Sequence, residues 1–282
     1  MIDVHTHPVM IKELVENDPE LERAIHEVFG FFFPPQPLKG FLLEMDEAGV
    51  DQAVLLPIDC TSAHGCKIVS NEQVADLAQN NPRLIGFASV DPCQQGALKE
   101  LERAVKTLGL RGLKLDPSLQ RFDPGSREAA YPLYETCAAL GIPVLLHCGM
   151  SWAPSGLARW SQPLLLEEAV QDHPATTFIL AHFGWPWVLE ASMLALKYPN
   201  VFLDTAILYS GTPRDALHHV MAEQVGLDVI ERSLFNKVLF GSNYPRVDMR
   251  RSVRGLRGLG LSKATEQAIF HDNAARLLRL TR

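Results

Sequence analysis

The residues able to do chemistry in this 282-residue sequence recur in one kind of place. His5 and His7, Asp59, Asp91, Lys114 and Asp116, His147, His182, Asp204 and Asn243 each close or directly follow a short apolar run. Groups that ligate, titrate or donate hydrogen bonds at successive strand ends mark a catalytic α/β barrel, because stability alone gives no reason to put them there. His5-x-His7 is an i, i+2 pair, so both imidazoles leave one face of a strand. Two imidazoles on one face suit a borderline cation such as zinc. His147 ends the run Pro143-Val144-Leu145-Leu146, and His182 ends Phe178-Ile179-Leu180-Ala181. A single histidine in such a position is more often a satisfied core residue. Four converging on one end of a barrel read as a metal or acid–base centre.

Other residues extend the set. Lys114 can hold a substrate carboxylate as a point charge, or it can simply pair with Asp116 or Asp204. Trp152, Trp160, Trp185 and Trp187 cluster after the fifth and sixth apolar runs. Aromatic walls suit a planar organic acid, although packing between loop and helix is the plainer reading. Arg246, after Tyr244-Pro245, and His64 are weaker candidates whose plainer reading is a surface position. No phosphate loop, nucleophile elbow or Ser-His-Asp order is present, so phosphoryl transfer and serine hydrolysis lack support.

The elements that must position these residues alternate along the chain. Strands are expected over 2–5, 53–57, 84–90, 110–115, 143–147, 178–182, 201–204 and 238–241, as continuous Val/Ile/Leu/Phe runs of the kind buried on both faces. Helical patterns fill 38–48, 70–79, 97–107, 128–140, 162–171, 187–197 and 215–225, many ending at Gly49, Gly109 or Gly141 or near a proline. Eight βα units predict a single (β/α)₈ TIM-type barrel over 1–282 with closing helices at 262–282; an open doubly wound sheet is the alternative, without its glycine fingerprint. Two stretches exceed an ordinary loop, 8–36 and 150–161, and both follow strand carboxyl ends. They read as a lid or pocket wall, or as a packing surface between the copies of a homodimer.

Composition narrows the partners. With 26 basic and 33 acidic residues the formal charge is −7, and no run of five like charges occurs, which disfavours nucleic acid and anionic membranes. No apolar stretch is long enough to span a bilayer. The start, Met1-Ile2-Asp3-Val4-His5, lacks a basic n-region, so a cytoplasmic location is expected. The five scattered cysteines form no C-x-x-C pair and predict reduced thiols.

Several segments, taken in order, resemble the amidohydrolase superfamily, in the branch of aminocarboxymuconate-semialdehyde and γ-resorcylate decarboxylases. They are Ile2-Asp3-Val4-His5-Thr6-His7, Met45-Asp46-Glu47-Ala48-Gly49-Val50-Asp51, Asn71-Glu72, Gly86-Phe87-Ala88-Ser89-Val90-Asp91-Pro92 and Gly112-Leu113-Lys114-Leu115. They continue with Leu146-His147-Cys148-Gly149, Ala181-His182-Phe183-Gly184, Phe240-Gly241-Ser242-Asn243-Tyr244-Pro245 and Asp272-Asn273-Ala274-Ala275-Arg276-Leu277-Leu278. The resemblance implies a distorted barrel with a metal, usually zinc, at its mouth. It implies His5, His7 and His147 as ligands and His182 as the proton-transfer histidine. It places a ligand and catalytic aspartate at 243, where this chain has asparagine, a neutral amide that cannot act as a base. It also places Lys114 where some relatives carry a carbamylated lysine, although relatives with one metal favour the substrate role.

The expected function is a metal-dependent hydrolase or non-oxidative decarboxylase of a small carboxylated acid, in which the metal activates water or polarises the substrate. Lys114, Trp152 and Arg246 would bind that substrate. Two alternatives stay open because of Asn243: a metal-independent lactonase-type hydrolase, and a degenerate barrel that only binds a ligand.

Overall fold

The computed structural model describes residues 1–207 and 211–280, and a strand occupies each of the eight expected places. In chain order these are β1 (Ile2–Thr6), β2 (Gln52–Leu55), a hairpin of β3 (Ile58–Cys60) and β4 (Cys66–Ile68), β5 (Leu84–Gly86), β6 (Ala88–Ser89), β7 (Leu113–Leu115), β8 (Val144–Leu146), β9 (Phe178–Leu180), β10 (Val201–Asp204) and β11 (Val238–Leu239). The hairpin is antiparallel and carries no clear signal in the sequence. All other pairings are parallel, in the order β1-β2-β5 and β6-β7-β8-β9-β10-β11. Phe87 breaks the third barrel strand between β5 and β6, while its N–H still reaches Leu55 O at 3.1 Å. The ring closes beyond β11, where Val4 N donates to Phe240 O (2.9 Å), Asn243 N to His5 O (3.0 Å) and His7 N to Tyr244 O (2.7 Å). The result is a distorted eight-stranded α/β barrel.

Two apolar layers hold it. A smaller cluster joins Ile2, Val4, Val54, Ile85, Phe87, Leu145, Ile179, Phe202 and Leu239 to Ala274 of the last helix and to Leu278 just past its end. The C-terminal helix therefore plugs the end where the strands begin and leaves the other end for chemistry. A larger cluster packs the opposite strand faces on the surrounding helices. A register shift between Asp3 and Thr6 interrupts the alternation of β1, so Ile2 and Val4 fill the inner cluster while His5 still reaches the mouth.

The helices follow their local signals. Leu38–Ala48 ends at left-handed Gly49, and Asn71–Asn80 opens on a capping box between Ser70 and Gln73. The helix expected from 128 starts at Tyr131, because Pro132 belongs in a first turn. The pattern at 162–171 opens as a 3₁₀ turn, Pro163–Leu166, before Glu167–Asp172.

The segment 8–36, expected as a long loop, is instead an arm of short helices: Pro8–Met10, Lys12–Val15, Pro19–Arg23 and Ala24–Phe29. The spacing Leu21, Ile25, Phe29 buries one face, Asp18 caps the start through Leu21 N, and Gly30 (φ 69°) ends it. These local signals outweigh the length of the segment. Among the described residues no helix is long and apolar enough to cross a membrane. All five cysteines are free.

Candidate metal and acid–base centre

His5 and His7 at the end of β1, Lys114 in β7, Asp116 after it, His147 after β8, His182 after β9, Asp204 ending β10 and Asn243 beyond β11 are all buried, at the mouth opposite the plugged end. Two of the turns that present them are left-handed: His182 has φ 62° and Asn243 φ 63°. Such a conformation costs a bulky residue about 1–3 kcal/mol and an asparagine less. Neighbours hold both turns, through His182 N to Asp204 Oδ1 (2.7 Å) and Asn243 N to His5 O. After His147 the chain needs glycine, because a Cβ on Gly149 (φ 100°) would lie 2.1 Å from Trp185 O.

The hydrogen bonds determine which imidazole nitrogens carry protons. His7 Nδ1 faces Leu56 O at 3.1 Å, and His182 Nδ1 faces Ala206 O at 2.5 Å. A carbonyl only accepts, so both Nδ1 atoms are protonated. His5 Nδ1 faces Asp204 Oδ2 at 2.7 Å and donates to it. The Nε2 atoms of these three rings therefore present lone pairs. His182 Nε2 accepts from His147 Nδ1 at 2.9 Å, which leaves His147 Nε2 as a lone pair too, buried and without a partner. His5 Nε2 and His7 Nε2 lie 3.2 Å apart with no proton between them. Three unsatisfied imidazole lone pairs thus belong to His5, His7 and His147. Buried lone pairs left in this way are able to hold a cation. His5, His182 and Asp204 also bring one ligand atom each within 4.8 Å of one another. That trio is the poorer donor set, because Asp204 already accepts three N–H bonds and His182 Nε2 already accepts one.

Electrostatics agree. Burial, helped by the positive field of Lys114, pushes His5, His7 and His147 below the ordinary imidazole range. Burial, then His147 and His5, lowers His182. Neutral rings are what both a metal ligand and a general base require. Burial also lowers Lys114, against the pull of Asp116 and Asp204, and no hydrogen bond or ion pair among the described residues holds its ammonium. Burial brings Arg246 down to about 10, so it stays charged at neutral pH.

His7, Lys114, His147, His182, Asn243 and Arg246 line one cavity, together with Phe29, Asp116, Leu119, Ser151, Trp152 and Ala153. Its volume is about 20 Å³, room for an ion or a water but not for an organic substrate. The arm and the 150–161 loop close it from above. Ser155 Oγ donates to Val28 O at 3.1 Å, and a Cβ on Gly30 would lie 2.6 Å from Pro154 Cδ. A roomier cavity of about 170 Å³ lies behind Arg246, beside Thr205, Ser242 and Arg251, and no histidine lines it.

Some expected residues fall elsewhere. Of the four tryptophans only Trp152, half exposed, lines the cavity; Trp160, Trp185 and Trp187 do not. His64 does not line the cavity itself, and its Nε2 meets the backbone oxygen of Leu119, which does. Asp59 and Asp91 hold loop N–H groups, at Thr61 and Cys93. Arg246 is not a surface residue: its guanidinium stacks on Phe29 and binds Phe29 O and Gly30 O. Two carboxylates take roles that their place in the sequence does not suggest. Asp204 is one. Asp3 is the other: its Oδ1 accepts from His5 N and Ser242 N, its Oδ2 has no partner, and burial pushes its carboxyl up to about 7.

Comparison with known proteins agrees with the barrel fold. A curated γ-resorcylate decarboxylase from Polaromonas sp. (strain JS666) is 24% identical, with 84% of this chain and 86% of that protein aligned. Protein fluG of Emericella nidulans is 31% identical over 94 residues, where the chain spans only 11% of that protein's length. Among solved structures, an uncharacterised TIM-barrel protein from Bordetella bronchiseptica superposes with a TM-score of 0.77 at 23% identity, covering 99% of this chain and 98% of that one. A dihydroxybenzoic acid decarboxylase from Polaromonas sp. JS666, solved with bound manganese, superposes at 0.66 and 20% identity over 100% and 97% of the two chains. The amidohydrolase family model matches residues 2–280, and the chain belongs to that family, as an enzyme of hydrolase or lyase type.

Proposed function

We propose that this chain is a divalent-metal-dependent hydrolase or non-oxidative decarboxylase of a small carboxylated organic acid. The observation that carries the reading is the set of three free lone pairs on His5, His7 and His147, whose other nitrogens are all committed as donors. These residues would hold the ion, with the Asn243 amide oxygen as a neutral fourth donor, and zinc is the ion that imidazoles of this number favour. A divalent cation here would polarise a substrate oxygen or lower the pKa of water. Manganese bound in the Polaromonas decarboxylase supports a divalent ion in a barrel of this kind.

The remaining roles belong to the chain itself. His182 is neutral, is fixed by its bond to Ala206 O and lines the cavity, so its Nε2 can take up and return a proton once His147 Nδ1 turns away. Asp116 Oδ2, 3.7 Å from His147 Nδ1, is the acceptor placed to receive that turned N–H. Lys114 and Arg246 supply two cations on the cavity wall for a substrate carboxylate, and Trp152 and Phe29 supply apolar faces for its carbon skeleton. A substrate needs the 150–155 stretch to move outward.

A metal-independent, lactonase-type hydrolase is the second reading. It is favoured by Asn243, whose Nδ2 is buried without a partner and could donate to a substrate oxygen. Metal analysis of the purified protein before and after chelation, with turnover screened on aromatic and aliphatic carboxylic acids and on lactones, separates the two. Bound divalent ion and chelator-sensitive turnover are expected. Full turnover without a metal would move the assignment to the second reading.

A further inference from the structure

We propose that Asp204 is the positioning residue of this centre, supplying from β10 the anionic control that residue 243 lacks. The inference rests on the reading of His5 as a ligand. The two oxygens of Asp204 do different things. Oδ1 accepts from His182 N (2.7 Å) and Ala206 N (3.0 Å), and Oδ2 accepts from His5 Nδ1 (2.7 Å). One fully buried carboxylate thus fixes the left-handed turn that presents His182 and also the proton position on His5. With Nδ1–H tied to Oδ2, the His5 Nε2 lone pair has one direction left, beside His7 Nε2. A carboxylate behind a ligating imidazole also raises its basicity, the usual second partner of a metal-binding histidine. Asn243 offers no such charge.

The geometry makes the test specific. In Asp204→Asn the amide oxygen keeps the Oδ1 place, because a flipped amide would lose two backbone bonds to keep one. The amide NH₂ then points at His5 Nδ1, which must accept, so the His5 proton moves to Nε2 and blocks the lone pair. In Asp204→Ala both backbone N–H groups lose their acceptor, but His5 is free to choose its tautomer. The two roles therefore predict opposite orders. A purely structural Asp204 makes Ala the worse substitution for everything. A tautomer-setting Asp204 makes Ala worse for melting temperature and Asn worse for metal affinity.

The experiment uses the full chain, with histidine ¹⁵N spectra of the chelated protein and direct titration with Zn²⁺ and with Mn²⁺. The expected result is Nδ1–H on His5 in the parent, Nε2–H in Asp204→Asn, unchanged His7, and affinity for both ions lowered about 10–100-fold in Asp204→Asn. A parent His5 protonated at Nε2, or an Asp204→Asn protein that binds Zn²⁺ as tightly as the parent, overturns the inference. A parent that takes up neither ion, yet shows the His5 switch on substitution, supports the tautomer role of Asp204 and removes the metal reading above instead.

Discussion

Replacing Asn243 by aspartate changes the charge of the site while barely changing its shape. The side chain is 2% exposed, its Nδ2 has no partner, and its backbone is left-handed, a conformation that aspartate also tolerates. Without metal the substitution buries a carboxylate in the cavity that Asp116 also lines, with Lys114 on the same wall as partial compensation. An uncompensated buried charge costs about 3–5 kcal/mol, so a net loss of roughly 2–4 kcal/mol is expected in chelated protein. At about 2 °C per kcal/mol for a chain of this size, the melting temperature should fall by roughly 4–8 °C. With metal the sign reverses. If the new anionic ligand tightens binding about 100-fold, then at a free ion concentration 100 times the parent dissociation constant the stabilisation rises from about 2.7 to about 5.5 kcal/mol. The metal-induced shift should therefore grow from about 5 °C to about 11 °C. Calorimetric melts of both proteins, chelated and at one buffered Zn²⁺ activity, measure it directly. Turnover of the variant should also rise, because a carboxylate can accept a proton that an amide cannot. A variant whose chelated melt is unchanged, and whose metal increment is no larger than the parent's, refutes the placement of residue 243 beside the ion.

Two other buried groups give measurable outcomes. Burial pushes the Asp3 carboxyl up to about 7, so the folded state holds its proton more tightly than the unfolded chain. That stability is complete below about pH 4 and is lost as pH rises through 7, up to about 4 kcal/mol for a shift of about three units. Asp3→Asn keeps the oxygen that accepts from His5 N and Ser242 N; chelated variant and parent, melted from pH 5 to pH 8, should diverge as pH rises, with the variant the more stable at pH 8. Parallel profiles would show that Asp3 is already ionised in the folded chain at pH 5. His182→Asn, chosen because asparagine tolerates the left-handed turn, should leave the fold intact and lower turnover about 10²–10⁴-fold on a substrate found by the screen. Near-parental turnover would remove His182 from proton transfer.

What can be read from the chain alone depends on the range of the physical effect. The eight strands are legible because a strand buried on both faces must be a continuous apolar run, and most helices because capping and proline rules act over a few residues. The place of the imidazoles is legible too: in a parallel barrel every strand ends at the same mouth, so position along the chain translates into position in space. Even the arm at 8–36 has its signals in Asp18, the Leu21–Ile25–Phe29 spacing and Gly30, and it reads as a loop only when length is weighed above pattern.

The sequence by itself does not decide what each of those polar groups does. Asp59, Asp91, Asp116 and Asp204 all close or follow an apolar run, yet Asp59 and Asp91 hold loop amides, Asp116 waits beside His147, and Asp204 meets His5 Nδ1. Likewise Trp152 and Trp160 share one loop, and only Trp152 lines the cavity. Hydrogen bonds act over about 3 Å, and the partners that fix these roles lie far apart in the chain, as His5 and Asp204 do at 199 residues. Only closing the barrel brings such partners within that distance, so the tertiary structure alone assigns the protons.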